Sequence, residues 1–356
     1  MISPVVTEQP SEWHLARFTE FASAKVLLGE PMSHGRIVLH LSRDVGREET
    51  AWRLGLYLNC WSVLGAEVIW TEWPFQRVQK EPAAFQSWLE TNFRGIHTRK
   101  ERRCVRTAGK FGAAAASYRE WMASEIPRLT REAAGTSPSD YDAWWESLSR
   151  VRYFGRYIVA NGLDAFRIGS FMNAELYELG TIGNHQSPMR GLALLRQEDA
   201  GRLLGGEGAK WLNSLGTETR QEVLRRGRRE GEGEWLSWFA FAALLCEYRQ
   251  YYEWAAEYAG NSHDEELSYL LSGYGTYWKK RGFTSRIPQT RSEIFPPECL
   301  GEVQGWDGIR IDVAERLKDE GVVWNDLVHD YRATISTGRL VYRPTRETPP
   351  SAEARR

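Results

Sequence analysis

Residues 239–254 read FAFAALLCEYRQYYEW, and the twelve positions from Trp235 to Cys246 carry no charge before Glu247, Tyr248 and Arg249 arrive together. An uncharged run of that length falls short of the roughly 20 residues a helix needs to cross a bilayer. Trp235, Trp238, Phe239, Ala242 and Leu245 recur at the spacing of one helix face, which predicts a long buried helix over 234–259. Such a helix drives its apolar part through a core and delivers Glu247 at the edge of a cavity. Burial there raises a carboxyl pKa and suits the group to proton transfer. Pairing of Glu247 with Arg190 or Arg249 is the plainer alternative. Cys246 reads as a packed thiol, because no neighbouring group marks it as activated.

The helical period continues outward from this stretch. Residues 48–60, EETAWRLGLYLNC, combine good helix formers with acids in the first turn, where the helix dipole favours them. In SYREWMASEI, Tyr118, Trp121, Met122 and Ile126 make an apolar stripe that Glu125 interrupts. SPSDYDAWWESLSRVRYFGRYIVANGL (137–163) opens on Ser139 or Asp140 as N-cap, continues through Trp144, Leu148 and Val151, and breaks or meets another backbone near Gly155. A last helix is expected over 312–332, interrupted near Gly321. Strand-like material is confined to GRIVLHLS (35–42) and RLVYRP (339–344). The expected fold is therefore mainly α, with minor β elements.

Breaks at 132–140, 226–234 and 284–298 are rich in Gly, Pro, Ser and charge. They suggest an N-terminal helical region over 1–135 and a helical domain over 136–300. A C-terminal extension over 301–345 and a disordered tail over 346–356 complete the division. No internal repeat is visible.

A net charge of −1 argues against a protein that coats nucleic acid non-specifically, while leaving room for a local basic groove. Sixteen Trp, fifteen Tyr and thirteen Phe are enough both to fill helix interfaces and to stack a base. Cys60, Cys104, Cys246 and Cys299 lie far apart without zinc spacing, as expected of reduced thiols in a cytoplasm. The opening MISPVVTEQPSEWHLARF lacks the cationic and apolar regions of a signal peptide. GGEGAKW (205–211) lacks the spacing and preceding strand of a phosphate loop. No dinucleotide fingerprint, H-E-x-x-H helix or G-x-S-x-G elbow occurs. NSHDEE (261–266) reads as an acidic helix cap in preference to a metal site, so no metal ligands are assigned.

Three stretches remain that carry chemistry. FRGIHTRKERRCVRTAGKF (93–111) packs Arg94, Arg99, Lys100, Arg102, Arg103, Arg106 and Lys110 into seventeen residues against one acid, Glu101. Cations at that density repel one another unless anions are near, and phosphate is the natural partner. In SRVRYFGRYIVANGL (149–163), Arg152 and Arg156 alternate with Tyr153, Phe154 and Tyr157. That pattern suits a phosphate contact beside a stacked base, though a helix crossing at Gly155 accounts for the same letters. GNHQSPMRGLALL (183–195) reads as a polar loop containing His185 that passes through Arg190 and Gly191 into an apolar helix, whose first N–H groups suit an anion.

Taken in order, RYFGRYIVANGL, SPMRGL and LLCEYRQY resemble the α-glutamyl/putrescinyl thymine pyrophosphorylases of phages and eukaryotic viruses. Members of that family are helical, DNA-glycosylase-like proteins with a G-F-x-x-x-Q-type helix, an R-G-L loop and a C-E-[FY]-x-K-Y helix. ETAWRLGLYLNCWSVLGAEVIW and FRGIHTRKERRCVR are similar to phage amino acid:DNA transferases of the same thymine-hypermodification systems. Gln250 stands where the family pattern has Lys, and FGRYIVAN lacks the family glutamine.

The resemblance implies an enzyme acting on DNA in which a thymine methyl carries pyrophosphate, replacing the pyrophosphate with the amine of an amino acid, glycine being favoured. Arg99, Lys100, Arg102, Arg103, Arg106, Arg152 and Arg156 would bind phosphates, and Arg190 would stabilise the leaving group. Glu247 or His185 would take the amine proton. Tyr153, Phe154, Tyr157, Tyr248 and Tyr251 would contact the base. The partners implied are modified double-stranded DNA, an amino acid donor and other phage modification enzymes in the cytoplasm of a bacterial host, with no membrane. No cofactor is required, and Mg²⁺ can accompany the pyrophosphate. A base-excising glycosylase and a non-catalytic DNA-binding accessory protein are the competing classes. The former calls for a helix-hairpin-helix G-x-G turn followed by a catalytic Asp or Lys, which Gly155 and Asp164 imitate poorly.

Overall fold

In the computed structural model, the described residues are 11–27, 35–98, 107–176, 186–196, 216–223 and 236–254, with single positions at 214, 225 and 319. Every regular element among them is helical and none is a strand, so the mainly α architecture stands. In chain order the α-helices are α1 (Ser11–Leu27), α2 (Gly35–Leu41), α3 (Arg47–Cys60), α4 (Val63–Glu72), α5 (Phe75–Lys80) and α6 (Pro82–Asn92). A 3-10 turn (Phe93–Gly95) follows, then α7 (Ala108–Glu132), α8 (Pro138–Ser149), α9 (Arg156–Ile168), α10 (Gln186–Arg196) and α11 (Trp238–Trp254). Residues 216–223 are helical as well. The chain divides into two compact units, one holding α1, α10, α11 and 216–223, the other α2 to α9. The expected helix at 312–332, strand at 339–344, C-terminal tail and breaks at 226–234 and 284–298 lie outside the described residues, apart from the single position 319.

The larger unit is built around α3, in which every residue from Ala51 to Cys60 is buried. A helix apolar all round belongs inside a protein, and α2, α4, α7 and α9 all pack on it. One charge is carried inward with it. Arg53 donates through Nε to Glu67 at 3.0 Å, through Nη2 to the same carboxylate, and through Nη1 to the Leu41 carbonyl at 2.7 Å. Its guanidinium also lies 3.9 Å from the Trp70 ring centroid, so a cation that is costly to bury has a partner on each side. Glu49, in the first turn of α3, accepts from Trp70 Nε1 and from the N–H groups of Phe75 and Gln76, which satisfies the start of α5.

The stretch expected as a strand at 35–42 is helix α2, and packing is the reason. Adjacent Ile37 and Val38 are both buried, whereas a strand would send them to opposite faces. The start of α8 also differs from expectation. Ser137, not Ser139 or Asp140, is the N-cap, with Asp140 closing a capping box and Pro138 in the first turn. The stripe in α7 is as read: Tyr118, Trp121, Met122 and Ile126 are buried. Glu125 interrupts it usefully, accepting from Ser147 of α8 at 2.7 Å while Ser147 accepts from Trp121 Nε1. Hydrogen bonds to Arg128 and Ser147 hold the Glu125 carboxyl below its ordinary pKa.

In the smaller unit, α1 packs on α10 and α11. Phe18 and Phe21 close on Tyr248 with ring centroids 5.5 and 5.7 Å apart, and His14 Nδ1 lies 3.2 Å from the Tyr248 hydroxyl. Helix α11 starts later than the apolar run suggested, because Leu236 and Ser237 precede it and the Ser237 hydroxyl accepts from Ala240 N–H.

Candidate functional site

Two groups of the expected site residues lie among the described residues, one in each unit. In the larger unit the chain leaves α8 at Ser149 and restarts at Arg156, so Gly155 marks a break and not a crossing: a Cβ there meets nothing within 4 Å. Val151 and Phe154 turn inward, Phe154 towards the Tyr118 ring at 5.8 Å. Arg152, Tyr153 and Arg156 are exposed. The Arg152 N–H is fixed by the Ser117 hydroxyl of α7 at 3.0 Å, and its guanidinium lies over the Tyr153 ring at 5.3 Å. Tyr157 is half-buried against Trp61, its ring centroid 5.0 Å away. Phe154 therefore serves the core, while Tyr153 and part of Tyr157 reach solvent. Asp164, the acid a base-excising mechanism would need, is buried inside α9 beside Arg167 at 3.5 Å.

Gly155 caps α9 in extended conformation with no side-chain cap, and no acid occupies the first turn. A helix start of that kind, beside the exposed Arg152 and Arg156, suits an anion. This corner can hold phosphate beside an aromatic face.

In the smaller unit the R-G-L and C-E-Y motifs meet. A Cβ on Gly191 would stand 2.4 Å from the carbonyl oxygen of Leu245 and 2.9 Å from its carbon, so α10 lies on the α11 backbone where a side chain has no room. Arg190 is the residue before that contact and Glu247 lies two residues beyond it; both are half-buried. Ala243, Cys246 and Glu247 form the half-exposed stripe of α11, whereas Tyr248 and Arg249 point inward. Arg190 sits inside α10, not at a loop boundary, since the helix already begins at Gln186. Tyr248 is 1% exposed and packs against α1, which makes it part of the core.

Arg99, Lys100, Arg102, Arg103, Arg106 and His185 lie outside the described residues, as does the side chain of Tyr251. At the foot of the basic run is a pair that pattern reading missed. His97 Nδ1 lies 2.7 Å from the hydroxyl of Ser62, which also accepts the Gly65 N–H at the start of α4. Nothing in the sequence pairs two residues thirty-five positions apart. Among the described residues no cluster of His, Cys, Asp and Glu is arranged to hold a metal, and no helix is long and apolar enough to cross a membrane.

Helices throughout the described residues, with an arginine–aromatic corner, make a scaffold suited to handling nucleic acid. A model of the amino acid:DNA transferase family matches residues 46–226, just over half of the chain, and the chain belongs to that family. It is thus a transferase whose partners are DNA and an amino acid. The matched span takes in α3 to α10, including Arg152, Arg156 and Arg190, and ends before Glu247. No curated protein and no solved structure matches the chain.

Proposed function

We propose that the protein transfers an amino acid, glycine first among donors, onto 5-pyrophosphoryloxymethyl-deoxyuridine in phage DNA. The amine nitrogen attacks the methylene carbon, a C–N bond forms, the C–O bond breaks and pyrophosphate leaves. The nitrogen sheds a proton to a base, for which Glu247 and His185 are the candidates. Arg190 neutralises the departing oxygens, a role guanidinium fills because it stays charged and grips phosphate with two N–H groups. Arg152 and Arg156, with the basic run from Arg99 to Arg106, hold DNA phosphates, and Tyr153 with Tyr157 contacts a base of the bound DNA. The residues themselves supply this displacement without a cofactor; Mg²⁺ is an option beside the pyrophosphate.

The observation that carries this reading is the contact of Gly191 with Leu245, which sets an arginine-bearing motif and a carboxylate-bearing motif on one helix crossing. Other phage modification enzymes would supply the pyrophosphorylated base, in the cytoplasm of a bacterial host.

Incubation of DNA carrying the pyrophosphorylated base with a pool of amines, followed by nucleoside mass spectrometry, tests it. A nucleoside heavier by the added glycine is expected, and release of a free base would favour a glycosylase instead. Arg190→Ala is expected to lose about 100- to 1,000-fold in turnover, and Glu247→Gln to bind DNA yet turn over poorly. Full activity in both variants removes this site.

A further inference from the structure

Val151 and Phe154 are anchored in the core at 2% and 7% exposure, and the Phe154 N–H donates to the Val151 carbonyl at 3.0 Å. Arg152 and Tyr153 form the corner between them. Tyr153 occupies the third position of this turn with φ at 68°, whereas Arg152 is not among the residues of positive φ. That is the backbone of a type II turn, whose third position takes glycine because a side chain there is strained.

Two other described non-glycine residues, Trp61 and Ser170, have positive φ. Trp61 ends α3 by donating its N–H to the Tyr57 carbonyl, and its indole is buried between the rings of Tyr57 and Tyr157. Ser170 is small and follows the end of α9. Tyr153 has far less burial to offset its strain: the residue is 43% exposed, a large hydrophobic side chain that reaches solvent with only the Arg152 guanidinium over its ring. Stability alone would place glycine here. The turn is also held on both sides, by its two apolar anchors and by the Ser117 hydroxyl on the Arg152 N–H. A fixed corner therefore presents an aromatic ring with the Arg152 guanidinium over it at 5.3 Å, and exposed Arg156 follows three residues on.

We infer that Tyr153 is a stacking wedge that enters the base stack of double-stranded DNA and holds the duplex open while Arg152 and Arg156 take the flanking phosphates. A flat ring on a stiff turn fits between base steps, and stacking on it tolerates any sequence. The inference rests on the DNA reading above and adds how the duplex is opened for chemistry on one base.

The test measures dissociation constants of the full chain for two oligonucleotide duplexes identical except that one carries a single abasic site. The wild-type protein is expected to prefer the abasic duplex, where no pair has to be broken. In Tyr153→Gly, affinity for the abasic duplex is expected to fall by about 5- to 150-fold, the range one base–aromatic stack is worth. Tyr153→Trp is expected to retain it. Because glycine suits the turn, the melting temperature of Tyr153→Gly should hold or rise, which separates a wedge from a structural tyrosine. Arg152→Ala and Arg156→Ala should weaken both duplexes alike. Equal affinity of wild type and Tyr153→Gly for the abasic duplex overturns the inference, as does unaltered binding by both arginine variants. A wild-type protein that discriminates the abasic duplex yet transfers no amine refutes the proposed substrate and leaves the wedge standing.

Discussion

Replacing Gly191 with alanine adds one methyl group where α10 rests on α11. The new Cβ would lie 2.4 Å from the Leu245 oxygen and 2.9 Å from its carbon, against 3.4 Å for an ordinary contact. Both obstructing atoms are backbone, so no side chain can swing aside, and α10 has to move by about 1 Å. Alanine gains about 1 kcal/mol in helix propensity over glycine. Overpacking costs about 1–3 kcal/mol, and a backbone obstruction belongs at the upper end. The net loss is therefore about 2 kcal/mol, or about 4–8 °C in melting temperature. If this crossing positions Arg190 relative to Glu247, a shift of that size also lowers transfer on the order of 100-fold. Gly109 of α7 is the control: its Cβ would meet nothing within 4 Å, and Gly109→Ala should gain up to about 1 kcal/mol. Thermal melts and mass-spectrometric transfer assays read both quantities. A Gly191→Ala protein that melts no lower than wild type and transfers at the wild-type rate would show that the crossing does not govern the site.

Burial pushes His14 down from 6.5 to about 4. The folded chain then binds this proton less readily than the unfolded one, so its contribution to stability is complete above pH 6.5 and is lost as pH falls towards 4. Melting temperatures between pH 4 and 7 should decline less steeply in His14→Asn; identical slopes would count against the burial argument. Glu67→Ala strands Arg53 in the core and should cost about 3–5 kcal/mol in urea unfolding, while the double change of Arg53 and Glu67 to methionine should cost far less. Comparable losses in the two variants would mean that the cation is not the cause.

Much of the fold was legible because helix periodicity is local. The α7 stripe and the apolar part of α11 announce helices through spacing, and residues 48–60 through helix formers behind a first turn of acids, whereas the central place of α3 shows only in the buried run from Ala51 to Cys60. GRIVLHLS misled for an equally local reason: β-branched neighbours favour strands until tertiary packing asks two adjacent side chains to face one core. Arginine beside tyrosine marked the 152–157 corner, but its letters do not tell that Phe154 turns inward and Tyr153 outward. Tyr248 is similar, since an aromatic following a carboxylate reads equally well as a cavity wall or as the partner of His14.

The sequence by itself determined a helical chain with a basic run, an arginine–aromatic corner and two short motifs fifty or so residues apart, because each depends on neighbours within a few turns. Tertiary structure alone decided that Gly191 touches Leu245, that Ser62 holds His97, and that one tyrosine is strained into solvent. Contacts between distant segments depend on which surfaces exclude water together, and positive φ at Tyr153 depends on two anchors buried at once. Neither condition is written in any single stretch of residues.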